Sequence, residues 1–181
     1  MPIESPGPIL VHGEWDDSQQ MSLALRATGA NIPALTQYAT SGVYLLKFIL
    51  NDFACFAIQM PHGYQEGSPL SPHFHWFGST VSANVVKWQL TYQWVNWEGG
   101  VMSSTTPTVL TCTQAEDGIG KLRMVETTDI VGTGMKISSL LLGTVKRVTN
   151  AATDYTGDVF LAAFDVHFLR QTHGSRSEGV K

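Results

Sequence analysis

Two histidines separated by one residue, His73 and His75, are the side chains best placed to do chemistry in this sequence. On an extended strand, residues i and i+2 point the same way, so two imidazoles side by side can hold a divalent metal. Asp165 and His167 repeat that spacing near the end of the chain, and His62 precedes the pair. These three can join a cluster only if their strands lie beside that of His73. Phe74 and Trp76 alternate with the histidines and have the size of core residues, which turns His73 and His75 away from the core. The pattern therefore reads as hydrogen-bonded histidines on an outward face. No residue is assigned as a catalytic group, cofactor contact or metal ligand.

Gly67, followed after five residues by His73-Phe74-His75, resembles the first half of the cupin metal-binding motif. That resemblance implies a glutamate ligand a few residues on, but Trp76, Phe77, Gly78, Ser79 and Thr80 stand there, and no second cupin motif follows. Cupin ligands also point into the barrel. No nucleophile elbow, phosphate-binding loop or zinc-protease helix motif is present. Glu66, Glu98, Glu116 and Asp117 could pair as acid and base in glycoside cleavage, yet they fall in turn-rich stretches where carboxylates are common. Glu14, Asp16 and Asp17 read as a solvated acidic loop. Sugars stack on exposed rings, and Trp76, Trp88, Trp94, Trp97 and Tyr92 are the aromatic cluster from which a carbohydrate platform could be built. Trp88 and Trp94 fit a core stripe, whereas Trp97 precedes Glu98-Gly99-Gly100 and is placed at a hairpin tip.

The elements that must carry these residues are strands. Runs at Val43–Ile49, Phe53–Met60, Ser71–Phe77, Asn84–Asn96, Pro107–Thr113, Lys121–Val131, Lys136–Val148 and Gly157–Arg170 are separated by Gly-, Pro-, Asn- and Asp-rich turns. Val86, Trp88, Leu90, Tyr92 and Trp94 alternate with Lys87, Gln89, Thr91 and Gln93, which gives one core face and one wet face. In the last run Phe160, Ala162, Phe164, Val166 and Phe168 are expected to share one face. The sequence thus predicts an all-β fold: one β-sandwich or jelly roll of about eight antiparallel strands over residues 43–170. Residues 1–42 read as an N-terminal arm or irregular segment, with Gln20–Leu35 ambiguous between helix, edge strand and arm. Residues 171–181 read as a polar tail.

Length and composition fit this. A chain of 181 residues hides enough surface to fold as one domain without staples. Charged residues make up 14% of it, against a usual quarter, so its polar surface is built largely from Thr, Ser, Gln and Asn. A net charge of -4 with scattered Lys and Arg excludes a basic stripe for nucleic acid. Cys55 and Cys112 lack metal spacing and read as two small buried hydrophobes. The first residues resemble no secretory leader, and no apolar run is long enough for a membrane helix. A soluble chain that contacts neither nucleic acid nor membrane is expected.

Several blocks resemble a family of small tailed-bacteriophage proteins found beside virion structural genes. They are Asn31-Ile32-Pro33-Ala34, Gln59 to Gly67, Pro72-His73-Phe74-His75-Trp76, and Phe164-Asp165-Val166-His167-Phe168 leading to Gly174-Ser175-Arg176. The resemblance implies a non-enzymatic virion protein with a jelly-roll-like fold, made in the host cytoplasm and without cofactor. It further implies a homotrimer attached to other virion proteins such as the major capsid or tail proteins, as a decoration, cement or fibre-associated component. Two alternatives remain open: a host glycan- or receptor-binding module displaying Trp97 and Tyr64, and a cupin-like metalloenzyme using His73 and His75.

Overall fold

A computed structural model of the chain describes residues 13–21, 24–26, 29–102 and 107–171. Its strands are β1 (Glu14–Met21), β2 (Ala34–Gln37), β3 (Tyr44–Phe48), β4 (Phe53–Gln59), β5 (Leu70–Gly78), β6 (Ser82–Val95), β7 (Thr108–Glu116), β8 (Arg123–Glu126), β9 (Leu140–Val148) and β10 (Val159–Arg170). One 3-10 turn, Ala151–Thr153, is the sole helical element they are joined by among the described residues after β1 and β2. All strand pairs are antiparallel.

β3, β10, β5 and β8 lie side by side in one sheet, and β4, β9, β6 and β7 in the other. The chain crosses between sheets at β3–β4, β4–β5, β5–β6, β7–β8, β8–β9 and β9–β10, which is the path of a jelly roll. β2 extends the first sheet beyond β3, and β1 pairs with β10, making that sheet six-stranded. The sandwich therefore takes two strands from the segment expected to be an arm or irregular. β1 is EWDDSQQM, a polar edge strand whose outward residues are exposed, so its sequence carries little of the apolar alternation by which strands are recognised. Glu14, Asp16 and Asp17 consequently sit on a strand rather than in a loop. The expected Lys121–Val131 run shrinks to β8, and the tail beyond Gln171 lies outside the described residues.

Between the sheets, Phe74 and Trp88 stack with ring centroids 5.2 Å apart, and Phe164 packs against both Phe74 and Phe56. Each such ring contributes roughly 2–3 kcal/mol on burial. The core-facing stripe of β6 is as expected, with Val86, Trp88 and Leu90 fully buried. In β10 the alternation slips. The ladder with β5 shifts register between Leu161 and Ala163, so Val159 and Leu161 enter the core before the bulge, and Phe164, Val166 and Phe168 after it. Phe160 is left on the outer side, edge-on to Tyr38 at 5.0 Å. One extra residue changes which parity faces inward. Cys112 is buried and its thiol is pushed up to about 12 by burial, while Cys55 is half-buried and points outward from β4; neither forms a disulfide.

Candidate functional site

The outer face of the six-stranded sheet gathers the polar residues singled out in the sequence. Three cross-strand rows run over it. Gln19, Asp165, His73 and Glu126 form the middle row across β1, β10, β5 and β8. Asp17, His167 and Ser71 form the row on one side, and Met21, Ala163, His75 and Met124 the row on the other. β5 and β10 are neighbours, so the condition for Asp165 and His167 to meet the two histidines is satisfied. His62 lies in the connection between β4 and β5 and is not part of the cluster.

The histidines do point away from the core, as their alternation with Phe74 and Trp76 requires. They are nevertheless covered: His73 is 1% exposed and Asp165 2%. Asp165 Oδ2 lies 3.1 Å from His75 Nε2 and 3.5 Å from His73 Nε2. One potential ligand atom from each of the three residues falls within 4.8 Å of the others. The His73 ring stands 4.2 Å from that of His167, whose Nε2 lies 2.6 Å from Asp17 Oδ1. Asp16 pairs with Arg170 on the same strand pair.

This arrangement sets its own electrostatics. Burial opposes charge on Asp165, but hydrogen bonds from His73 and His75 and their positive fields outweigh it and hold the carboxyl down to about 2. Burial likewise opposes charge on His73. Its hydrogen bonds to Asp165 and the Ser71 carbonyl, with the fields of Asp165 and Asp17, outweigh that and raise it above the ordinary histidine value. Asp165 Oδ1 is buried and has no hydrogen-bond partner among the described residues. An orphaned carboxylate oxygen is costly, since its desolvation is not repaid.

Chemically, the cluster can store a proton between imidazole and carboxylate or present two nitrogens and one oxygen to a cation. The sequence supplied the pair His73/His75 and the pair Asp165/His167, but not their union, which depends on strand order. Asp17 and Glu126 also reach the histidines only through strand order: β1 carries a weak strand signal, and the expected Lys121–Val131 run bears no mark that it pairs with β5.

The remaining candidates do not converge. Glu116 is fully buried at the end of β7, where it accepts hydrogen bonds from the amides of Gly78 and Gly118 and pairs with Arg123 at 3.0 Å. Asp117 pairs with Lys121 and Arg123. Both carboxylates are thus tied into the fold. Glu66 receives the Ile137 amide and, with Trp97, Glu98 and Lys136, lines a cavity of about 140 Å³. Trp97 stands in the turn after β6 and is 53% exposed, while Trp76 and Trp88 are in the core and Tyr64 is buried.

No protein-family model matches this sequence, and no curated protein matches it either. Among solved structures it is similar to dimeric latent PorU from Porphyromonas gingivalis, at 10% identity and a TM-score of 0.45 over 94% of this chain and 15% of that one. It is similar at 12% identity and a TM-score of 0.38 to the CBM22-1–GH10 modules of the Clostridium thermocellum endo-1,4-β-D-xylanase 10B complexed with xylohexaose, over 90% of this chain and 27% of that one. TmCBM61 in complex with β-1,4-galactotriose gives 15% identity and a TM-score of 0.31, over 87% and 88%. The chain spans well under a third of the length of the first two. Likeness at this level carries no argument about activity or ligand.

Proposed function

We propose that the protein is a non-enzymatic, self-associating structural unit of a bacteriophage virion, a homotrimer that decorates or cements the capsid or belongs to a tail or fibre assembly. The observation that carries this reading is the outer face of the four-stranded sheet. Its outward positions are Phe53, Cys55, Ala57 and Gln59 on β4, Leu140, Leu142, Thr144, Lys146 and Val148 on β9, Lys87, Gln89, Thr91, Gln93 and Val95 on β6, and Val109, Thr111 and Thr113 on β7. Lys87 and Lys146 are the charges on these strands, with the exposed Arg26 bridged to Cys55 at the β4 edge; the rest is apolar or neutral. Val109 is 50% exposed and Leu140 38%. A solvated sheet face is ordinarily studded with charge, and depletion of charge marks the centre of protein interfaces.

Two further features agree. Thr91, Gln93, Met102, Pro107, Leu142 and Thr144 help line a mostly apolar cavity of about 250 Å³ on this face, and Gln93 Oε1 there is buried without a hydrogen-bond partner among the described residues. The blocks from Asn31 to Trp76 and from Phe164 to Arg176 supply the virion context by resemblance. In a closed oligomer each such face buries against a symmetry-related copy, and mass action converts the contact into stability.

Light scattering across a dilution series tests the reading. A stable trimer that persists to low concentration supports it, and its recovery in purified particles by mass spectrometry supports the virion placement. A monomer at every concentration overturns it.

One observation favours a second reading, a glycan- or receptor-binding module. Trp97 is half-exposed at a turn and lines both the cavity with Glu66, Glu98 and Lys136 and a neighbouring one of about 240 Å³ with Asn96 and Gly100. An exposed ring beside hydrogen-bonding groups suits sugar stacking. A glycan array on which the wild type binds and Trp97→Ala does not supports it, and an array without signal removes it.

A further inference from the structure

We propose that His73, His75 and Asp165 form a binding site for one divalent transition-metal ion of the zinc class on the outer face of the six-stranded sheet. The inference stands apart from the assembly reading, which rests on the opposite face of the sandwich.

Geometry is the first argument. Two ligand atoms each about 2.1 Å from a metal and subtending 90–109° lie roughly 2.9–3.4 Å apart. The Asp165 Oδ2 to His75 Nε2 separation of 3.1 Å falls in that range and the 3.5 Å to His73 Nε2 just beyond it; all three ligand atoms lie within 4.8 Å of one another, so the two imidazoles draw together on binding. Strand pairing enforces this proximity, because Asp165 sits directly opposite His73 and one row away from His75, and all three project from the same face.

The second argument is the unpaired Asp165 Oδ1, in a residue 98% buried. An imidazole pair contacts Oδ2 alone, so the second oxygen is left without a donor; a cation beside the carboxylate compensates its charge and removes that penalty. The third is the orientation of His73. Its Nδ1 lies 3.4 Å from the Ser71 carbonyl, to which it can donate, so a metal ion can take the place of the Nε2 proton that His73 directs at Asp165 in the metal-free site. A backbone carbonyl on the non-ligating nitrogen is the usual support of a metal-binding histidine. The His167 ring, itself fixed by Asp17, packs against His73 and restrains its rotation.

The donor set chooses the ion. Two imidazoles with one carboxylate suit Zn²⁺, Co²⁺, Ni²⁺ or Fe²⁺, whereas Mg²⁺ and Ca²⁺ prefer oxygen throughout. Three protein ligands leave at least one position for water. A cavity of about 490 Å³ lined by Trp15, Ser71, Glu126, Asp129 and His167 adjoins His73 and offers the ion an acidic approach.

The test uses the full chain without a polyhistidine tag, stripped with chelator and titrated with Zn²⁺ by calorimetry, with Co²⁺ as the spectroscopic probe. One Zn²⁺ per chain is expected, with Co²⁺ d–d bands that Zn²⁺ displaces, and no saturable heat with Mg²⁺. His75→Ala, at a side chain 22% exposed, is expected to fold and to weaken Zn²⁺ binding by more than about 100-fold, beyond the roughly 10- to 100-fold loss typical of supporting residues. Asp165→Asn is expected to abolish it. Absence of saturable Zn²⁺ binding by the wild type overturns the proposal, as does one-to-one binding that His75→Ala leaves unchanged. Should Asp165→Asn fail to fold, the His75→Ala result decides alone.

Discussion

Asp165 stands directly opposite His73 across the β10–β5 ladder, with both side chains almost wholly buried on a sheet face where solvent would be expected. The carboxylate is held ionised by two imidazoles rather than by water. Removing one member of such a buried pair leaves the other charge uncompensated, at a cost of about 3–5 kcal/mol. In metal-free protein Asp165→Asn is therefore expected to lower unfolding free energy by about that amount, read from urea titrations at neutral pH. A loss below about 1 kcal/mol would show that the carboxylate is not carrying buried charge.

The same pair predicts a stability optimum for the metal-free protein. Asp165 is lowered to about 2 in the folded chain, so its contribution is complete above the ordinary carboxylate value near 3.9 and disappears as pH falls towards 2. His73 is raised, so its contribution is complete below the ordinary histidine value near 6.5 and disappears as pH climbs through the higher folded value. The pair stabilises most between about pH 4 and 6.5. Thermal midpoints measured from pH 3 to 9 with chelator present should peak in that window, and the alkaline decline should flatten in His73→Gln. A profile unchanged by that substitution would remove His73 as the titrating group.

Much of the sandwich was legible in the sequence. β3 to β7, β9 and β10 carry apolar alternation or β-branched runs between turn residues, so their positions follow from period alone. β1 was hidden because Glu14 to Met21 pairs with an edge of β10 through backbone and polar side chains and buries little apolar surface. The parity of Phe160 was misplaced because a one-residue bulge leaves no mark in composition. The site was half legible: alternation with Phe74 and Trp76 sets the direction of His73 and His75, but only the placement of β10 beside β5 brings Asp165 to them. That adjacency joins residues about ninety positions apart, beyond any local pattern.

Gly143 is a glycine inside β9 whose necessity also becomes visible only in three dimensions. A Cβ there would lie 2.0 Å from the Thr91 carbonyl oxygen of β6 and 3.0 Å from the Phe56 ring. The first contact is with backbone in the adjoining ladder and cannot be relieved by a rotamer change. Gly143→Ala is expected to destabilise by about 1–3 kcal/mol through displacement of β9 from β6. Denaturant midpoints measure it; a neutral result would mean that the two strands are further apart than described.

Thr91 and Thr144 face each other at the middle of the outer β6–β9 face, two residues along from Gln89 and Lys146. If that face is where copies of the chain meet, a charge at its centre is buried on association and exposed on dissociation. Burying an unpaired carboxylate costs several kcal/mol, whereas the same substitution on a solvated face changes folding stability by about 0.5 kcal/mol or less. Thr91→Glu is accordingly expected to reduce the mass seen by light scattering to that of one chain while leaving the thermal midpoint of the dissociated chain near that of wild-type monomer. Val131→Glu, at a position that is 73% exposed and outside both sheets, serves as the matched control and should leave the assembly intact. An oligomer that survives Thr91→Glu places the contact elsewhere on the sandwich and removes this face as its interface.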